Sequence, residues 1–210
     1  MDVMTLFFSQ TSPFARKVLI CVKEQNLEDK VHMELVHPLK NTDQVRAVNP
    51  LGKVPALITG TGALIIESSL ICQYLDDLAI QDFGEKMSLL KGKEISDNRI
   101  RQLEALSDGI MNVAYLLVME SLRSEKQQSE FWKQRWKDAI EHTLTYIEKK
   151  EFEQLDSDEN HLGKIALASA LGYLDFRLDS LNWRSGVSRL PSWFGDYSTR
   201  NSYQSTIPMD

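Results

Sequence analysis

The stretch that decides the fold is residues 49–58, NPLGKVPALI, where a turn rich in proline and glycine leads directly into an apolar run. Proline and glycine mark turns, and the apolar run at 56–58 predicts a short strand. The sequence GTG at 60–62 then predicts a hairpin turn into a second apolar run at 63–66. A predicted helix over 70–78 follows, so this region is organised as strand, strand, helix.

A strand–helix–strand region lies upstream of this stretch. Residues 3–8, VMTLFF, form an apolar run typical of a buried strand. Ser12 and Pro13 predict the start of a helix, with the serine as N-cap and the proline at the first helical position. Apolar residues recur at helical spacings between 14 and 22, and residues 31–35 predict another strand. The order strand, helix, strand implies a parallel pair of strands. Together with the strand–strand–helix region downstream, it predicts a four-stranded sheet of the thioredoxin-like α/β type.

The remainder of the chain is predicted to be all helical. No proline occurs from residue 56 to residue 190, so long helices can run there uninterrupted. The spacing of apolar residues predicts helices over about 94–122, 129–152 and 163–178, and a shorter one opened by Pro191. We therefore predict an α/β domain over 1–80, an all-helical domain over 86–210, and a join near 81–84.

Composition and charge exclude several classes of function. The 210 residues carry 24 Lys and Arg against 30 Asp and Glu, a net charge of −6, so no basic surface for nucleic acid is expected. No apolar run is long enough for a membrane span, and the first residues, MDVMT, lack the features of a signal peptide. The two cysteines, Cys21 and Cys72, suit a reducing compartment, and the four histidines show no metal-ligand spacing. We expect a soluble cytoplasmic protein with no metal, membrane or nucleic acid partner.

Several motifs in the chain resemble one family. Residues 12–18, SPFARKV, residues 49–55, NPLGKVP, and residues 67–68, ES, closely resemble at these spacings the N-terminal domain of glutathione S-transferases. Residues 165–177 and 191–203 resemble the family's core helix and C-terminal ending. The resemblance covers essentially the whole chain and is closest to bacterial members of the cytosolic type with Ser-Pro-Phe at the active site. It implies a glutathione-binding thioredoxin-like domain, a helical domain that contributes the acceptor pocket, and a homodimer.

The resemblance implies a transferase that activates the glutathione thiol for attack on a small apolar electrophile, as in detoxification. The thiolate is the nucleophile, yet a free thiol titrates at roughly pH 8.5, so the site must stabilise the anion. A hydroxyl that donates to sulfur at the positive end of a helix would do so. Ser12 matches the family's catalytic position, and Ser9 is the alternative because other classes place their hydroxyl slightly upstream. A third interpretation, in which Ser12 is only a helix cap, stays open.

Further glutathione contacts are expected from two loops. By resemblance, Val54–Pro55 is a cis-proline turn that leaves the Val54 backbone to pair with the cysteinyl part of glutathione like an added strand. An ordinary trans proline is the alternative. Lys40 and Lys53 match lysines that bind the glycyl carboxylate in some serine-type classes, although most surface lysines are simply solvated.

The pair Glu67 and Ser68 comes at the start of a predicted helix, whose N-terminal amides can bind an anion. In the family, the serine hydroxyl and N–H bind the γ-glutamyl carboxylate, and the glutamate binds the ammonium. A plain capped helix would also explain the serine. For the acceptor pocket the resemblance points to Phe14, Met111 and Tyr115, although Met and aromatic residues at helical spacing are more often core.

The sequence is also compatible with two other functions. A glutathione-dependent isomerase or dehalogenase would use the same thiolate. A non-catalytic, partner-binding protein of this fold would have no need for the Val54–Pro55 and Glu67–Ser68 features, which argues against it. A mechanism that uses a protein thiol is disfavoured because Ser12, not a cysteine, stands at the helix start.

One part of the chain departs from the family pattern. The family's core helix usually begins with a Ser/Thr-x-x-Asp capping box. The matching positions here are His161 and Lys164, and Asn160 is an alternative cap one residue earlier.

Overall fold

A computed structural model describes residues 3–208, and the backbone contacts divide the chain into two units. Unit 1 contains residues 3–92 together with 201–208, and unit 2 is Lys93–Arg200. The predicted join near 81–84 therefore lies inside unit 1. The end of the chain also belongs to unit 1, whereas the sequence predicts it as part of the helical domain.

Two groups of side-chain contacts explain these bounds. The Asp76 carboxylate accepts hydrogen bonds from the Ser88 hydroxyl at 2.7 Å and from the Leu89 N–H at 2.6 Å, which holds the segment after the predicted join on unit 1. The buried Arg16 guanidinium donates to the hydroxyl and to the backbone carbonyl of Tyr203, which holds the end of the chain there.

The sheet of unit 1 has four strands within the described residues, in the order β2-β1-β3-β4. Their bounds are β1 (Met4–Phe8), β2 (Val31–Leu35), β3 (Ala56–Ile58) and β4 (Leu64–Ile66). β1 pairs with β2 in parallel and with β3 antiparallel, and β3 pairs antiparallel with β4. Leu6 and Leu57 face each other across β1 and β3 and are fully buried, so the centre of the sheet is apolar. The predicted thioredoxin-like α/β sheet is confirmed.

Helices account for most of the remaining structure. Unit 1 contains α1 (Pro13–Glu24), α2 (Thr42–Val48) and α3 (Ser68–Phe83). Unit 2 contains α4 (Asp97–Ser121), α5 (Glu130–Tyr146), α6 (Phe152–Asp156), α7 (Leu162–Arg177) and α8 (Leu190–Tyr197), and α9 (Asn201–Gln204) belongs to unit 1. No helix among the described residues is long and apolar enough to cross a membrane.

Helix α7 is the centre of unit 2. Every residue from Leu162 to Leu174 is buried, and α7 packs against α4. Gly163 permits this close approach, because a Cβ built there would lie 2.9 Å from the Ile100 carbonyl oxygen and 3.0 Å from the Leu103 Cβ. The predicted helix over 129–152 is divided in the structure, since a π-helical turn at Ile147–Glu151 separates α5 from α6.

Candidate functional site

Ser12 lies at the N-terminus of α1 and caps it, as predicted. Its backbone is extended, with φ −81° and ψ 120°, and its Oγ accepts a hydrogen bond from the Ala15 N–H at 3.2 Å. The accepting hydroxyl keeps its own proton as a donor, and among residues 3–208 it donates to no acceptor. The first turn of α1 contains no acidic residue, so the positive end of this helix is not neutralised by its own side chains.

Ser9, the alternative hydroxyl, lies just after β1 and is buried. Its backbone carbonyl accepts a hydrogen bond from the Ser12 N–H at 3.2 Å, so Ser9 holds the loop that presents Ser12. Only Ser12 stands at the helix end, where the backbone amides add their positive potential.

Two basic residues of α1, Arg16 and Lys17, are buried side by side, and sequence reasoning missed both. The Arg16 Nη1 and Nη2 donate to the Tyr203 hydroxyl at 3.3 Å and to its carbonyl at 3.2 Å, and the guanidinium carbon lies 3.9 Å from the centre of the Tyr203 ring. The Lys17 Nζ donates to the Ser69 Oγ at 3.4 Å. The available signal was their position between apolar residues of an amphipathic helix, where a lysine or arginine is unusual.

The turn before β3 has the predicted conformation, because the Val54–Pro55 peptide bond is cis. Asn49 fixes the turn: its Nδ2 donates to the Lys53 carbonyl at 2.8 Å, and its Oδ1 accepts from the Leu51 N–H at 3.0 Å. The N–H and carbonyl of Val54 make no hydrogen bond with another residue of the described chain. Half-buried Val54 therefore has both backbone groups available to an extended peptide.

The start of α3 has no side-chain cap, whereas Ser12 caps the start of α1. Glu67 precedes the helix with φ 69° and ψ 124° and makes no capping hydrogen bond with its side chain. A positive φ is unusual for a residue other than glycine and is concentrated at functional sites. Ser68 is only 3% exposed, and its hydroxyl has no hydrogen-bond partner within residues 3–208. This hydroxyl and the first amides of α3 form a position suited to a carboxylate.

Lys40 and Lys53, predicted for the glycyl carboxylate, are both exposed. Lys53 immediately precedes Val54, and Lys40 lies in the loop between β2 and α2. Within the described part of the chain, neither ammonium group takes part in a hydrogen bond or an ion pair.

The three residues predicted for an acceptor pocket differ in their exposure. Phe14, in the first turn of α1, is half-buried. Met111, in α4, is fully buried, whereas Tyr115, one turn further along the same helix, is 42% exposed. Residues 3–208 contain no cluster of three or more His, Cys, Asp or Glu that could hold a metal ion.

Comparisons with known proteins agree with this geometry. Residues 11–78 match the family model described as the glutathione S-transferase N-terminal domain. The chain is 32% identical over 206 residues to the uncharacterised GST-like protein YibF of Escherichia coli (strain K12), and the match covers 98% of each chain.

Solved structures give the same result. A glutathione transferase family member from Pseudomonas fluorescens Pf-5 with bound glutathione is 31% identical, with a TM-score of 0.88, and the match covers 99% of this chain and 100% of that one. A glutathione S-transferase from Methylobacillus flagellatus KT with bound glutathione is 30% identical, with a TM-score of 0.86, and the coverage is 98% of this chain and 100% of that one. The chain therefore belongs to the glutathione S-transferase family.

Proposed function

We propose that this protein is a glutathione transferase in which the Ser12 hydroxyl stabilises the glutathione thiolate. The observation that carries the proposal is the state of that hydroxyl: it accepts from the Ala15 N–H and has its own proton left to donate at the positive end of α1. Glutathione bound to the relatives from Pseudomonas fluorescens and Methylobacillus flagellatus supports the choice of thiol.

The reaction begins with the loss of the thiol proton to solvent. A hydrogen bond from Ser12 and the amides of α1 both favour the anion, so they lower the pKa of the bound thiol. The thiolate sulfur then donates its electron pair to an electrophilic carbon and forms a C–S bond. With an aryl halide, the halide ion leaves with the electrons of the broken carbon–halogen bond.

The same proposal assigns the rest of glutathione to unit 1. The cysteinyl backbone pairs with the open N–H and carbonyl of Val54. The γ-glutamyl carboxylate binds the Ser68 hydroxyl and the first amides of α3, and Glu67 binds the γ-glutamyl ammonium. Lys53 and Lys40 bind the glycyl carboxylate through their exposed ammonium groups.

The acceptor, the assembly and the location are also proposals. Phe14 and Tyr115 have surface to offer an apolar electrophile, whereas Met111 is fully buried and is left out as a contact. A homodimer and a cytoplasmic location follow from the family resemblance. The buried cysteines Cys21 and Cys72, which no disulfide joins, fit a reducing compartment.

Calorimetric titration of glutathione into the wild type and a Ser12→Ala variant tests the proposal, together with the rate of conjugation to an aryl halide. We expect both proteins to bind glutathione and the variant to conjugate roughly a hundredfold more slowly, since one donor to the reacting anion is lost. Ser9→Ala is the matched control and should retain most of the rate. The absence of binding by the wild type would contradict the proposal, and equal rates in Ser12→Ala would move the role to Ser9.

A further inference from the structure

Tyr173, in helix α7, has a hydroxyl that makes no hydrogen bond within residues 3–208. The side chain is only 6% exposed, so its ring lies in the core of unit 2. A tyrosine hydroxyl in such a place usually has a hydrogen-bond partner. A phenylalanine would pack the same ring without a polar atom, so packing alone does not account for a tyrosine here. The hydroxyl oxygen is not fully enclosed, so it is open to a ligand.

Tyr173 lies beside Tyr115 of helix α4, in the same unit. The two helices pack against each other, and a Cβ built at Gly163 would lie 3.0 Å from the Leu103 Cβ. Tyr173 comes ten residues after Gly163 and Tyr115 comes twelve residues after Leu103. At about 1.5 Å per residue, the two tyrosines therefore lie at nearly the same level of the helix pair. The Tyr115 phenol also acts electrostatically on the Tyr173 hydroxyl, which requires the two groups to be close.

The Tyr173 hydroxyl is a hydrogen-bond donor at neutral pH. Burial raises the pKa of Tyr173 to about 12; the positive charge of Arg177 opposes this shift, and the Tyr115 phenol adds to it. The proton therefore stays on the oxygen throughout the physiological range. A donor with a positive charge nearby favours a ligand atom on which negative charge develops.

We propose that Tyr173 determines specificity for the electrophile by donating a hydrogen bond to a carbonyl oxygen conjugated with the carbon that is attacked. Tyr115, which is 42% exposed, offers its ring to the apolar part of the same molecule. An electrophile without such an oxygen leaves the donor unpaired and loses this interaction. The role rests on the proposed transferase function and deepens it, because it names the second substrate as an α,β-unsaturated ketone or aldehyde.

The reaction with such a substrate is an addition. The thiolate sulfur donates its electron pair to the β-carbon and forms the C–S bond. The electrons of the carbon–carbon double bond move towards the carbonyl, and those of the carbonyl double bond move to its oxygen, which becomes an enolate. The Tyr173 hydroxyl keeps its proton and stabilises this oxygen through the hydrogen bond. Water then protonates the α-carbon, and no group leaves.

The test compares two electrophiles that each contain one phenyl ring, 4-phenyl-3-buten-2-one and benzyl chloride, with glutathione at saturation. For Tyr173→Phe we expect kcat/KM for the ketone to fall about tenfold, since one hydrogen bond to the reacting oxygen is lost. With benzyl chloride, kcat/KM should stay within twofold of the wild type. The midpoint of denaturant unfolding should not change, because this hydroxyl has no partner within residues 3–208.

Tyr146→Phe is the matched control and should behave as the wild type with both electrophiles, since Tyr146 is 45% exposed at the end of α5. An equal loss of activity with both electrophiles, or a failure of Tyr173→Phe to fold, would show that the hydroxyl serves the fold and would overturn the proposal. If the wild type conjugates neither electrophile, the proposed function fails. If it conjugates the ketone and Tyr173→Phe does so equally well, only the role of Tyr173 fails, as it does if the wild type accepts benzyl chloride alone.

Discussion

Helices α3 and α7 are both 16 residues long, yet their N-termini are built in opposite ways. At the start of α3, Glu67 makes no capping hydrogen bond with its side chain and the Ser68 hydroxyl has no partner among the described residues. At the start of α7, the His161 Nδ1 accepts a hydrogen bond from the Lys164 N–H at 3.4 Å, and the ring is 1% exposed. The start of α7 is therefore capped by a side chain of the chain itself, whereas the start of α3 has a buried hydroxyl and helix amides that could bind an anion.

The closed start of α7 depends on one protonation state. Burial, together with the nearby Lys164 charge, lowers the pKa of His161 to about 4, whereas a backbone hydrogen bond with Gln154 and the Glu159 charge oppose the shift. His161 is therefore neutral at pH 7 and can accept the hydrogen bond of a cap. Protonation would place a second positive charge at the positive end of α7 and remove the acceptor.

The largest expected effect is the acid sensitivity of this cap. Because the folded pKa lies below the unfolded value of 6.5, the stabilisation is fully present above pH 6.5 and is lost as the pH falls towards 4. We expect His161 to account for about 3 kcal/mol of lost unfolding free energy by pH 4. Denaturant unfolding at several pH values measures it. His161→Asn, which can cap without titrating, is the control; an equal loss in both proteins would show that His161 is not responsible.

The next effect concerns the open start of α3. Ser68→Ala should weaken glutathione binding by about 2 kcal/mol, roughly thirtyfold in Kd, because a hydroxyl that pairs with a charged carboxylate is removed. The free energy of unfolding should change little, since this hydroxyl has no partner within residues 3–208. Calorimetry and denaturant unfolding of the same variant measure both quantities.

Ser129 offers a matched control for Ser68. Its Oγ accepts from the Trp132 N–H at 3.4 Å and caps α5. Ser129→Ala should cost about 1 kcal/mol of stability and leave glutathione affinity unchanged. The contrast between the uncapped start of α3 and the capped helix starts is wrong if Ser68→Ala destabilises the fold as much as Ser129→Ala does and still binds glutathione normally.

Local patterns predict much of unit 1. The strands and the cap at Ser12 are found as predicted, because each depends on residues close together in the sequence. The cis Val54–Pro55 bond is also found, but it was predicted from the family resemblance, since a local pattern leaves the trans form open. α2 was missed because it is only seven residues long and buries only Val45. Its N-cap Asn41 gives no signal, since the Asn41 side chain accepts from the His37 N–H instead of capping the helix.

Contacts between residues that are far apart in the sequence could not be predicted from local patterns. No local pattern connects Arg16 to Tyr203, which is 187 residues away in the sequence, so the return of the chain to unit 1 could not be foreseen. The cap of α7 was left open between Asn160 and His161. The structure shows His161 in that role, because the Asn160 Oδ1 accepts from the Tyr197 hydroxyl at 3.1 Å. Whether a polar group at a helix start is hydrogen-bonded within the chain or available to a ligand depends on such partners, which are distant in the sequence.

The most direct test of the account is the pKa of the glutathione thiol in the complex, followed through the ultraviolet absorbance of the bound thiolate as the pH is raised. With the wild type, we expect the bound thiol to titrate at least about one unit below the free value of roughly 8.5, because the Ser12 hydroxyl and the α1 amides favour the anion. In Ser12→Ala most of that shift should be lost. A bound thiol that titrates with the free value in the wild type would contradict the central claim.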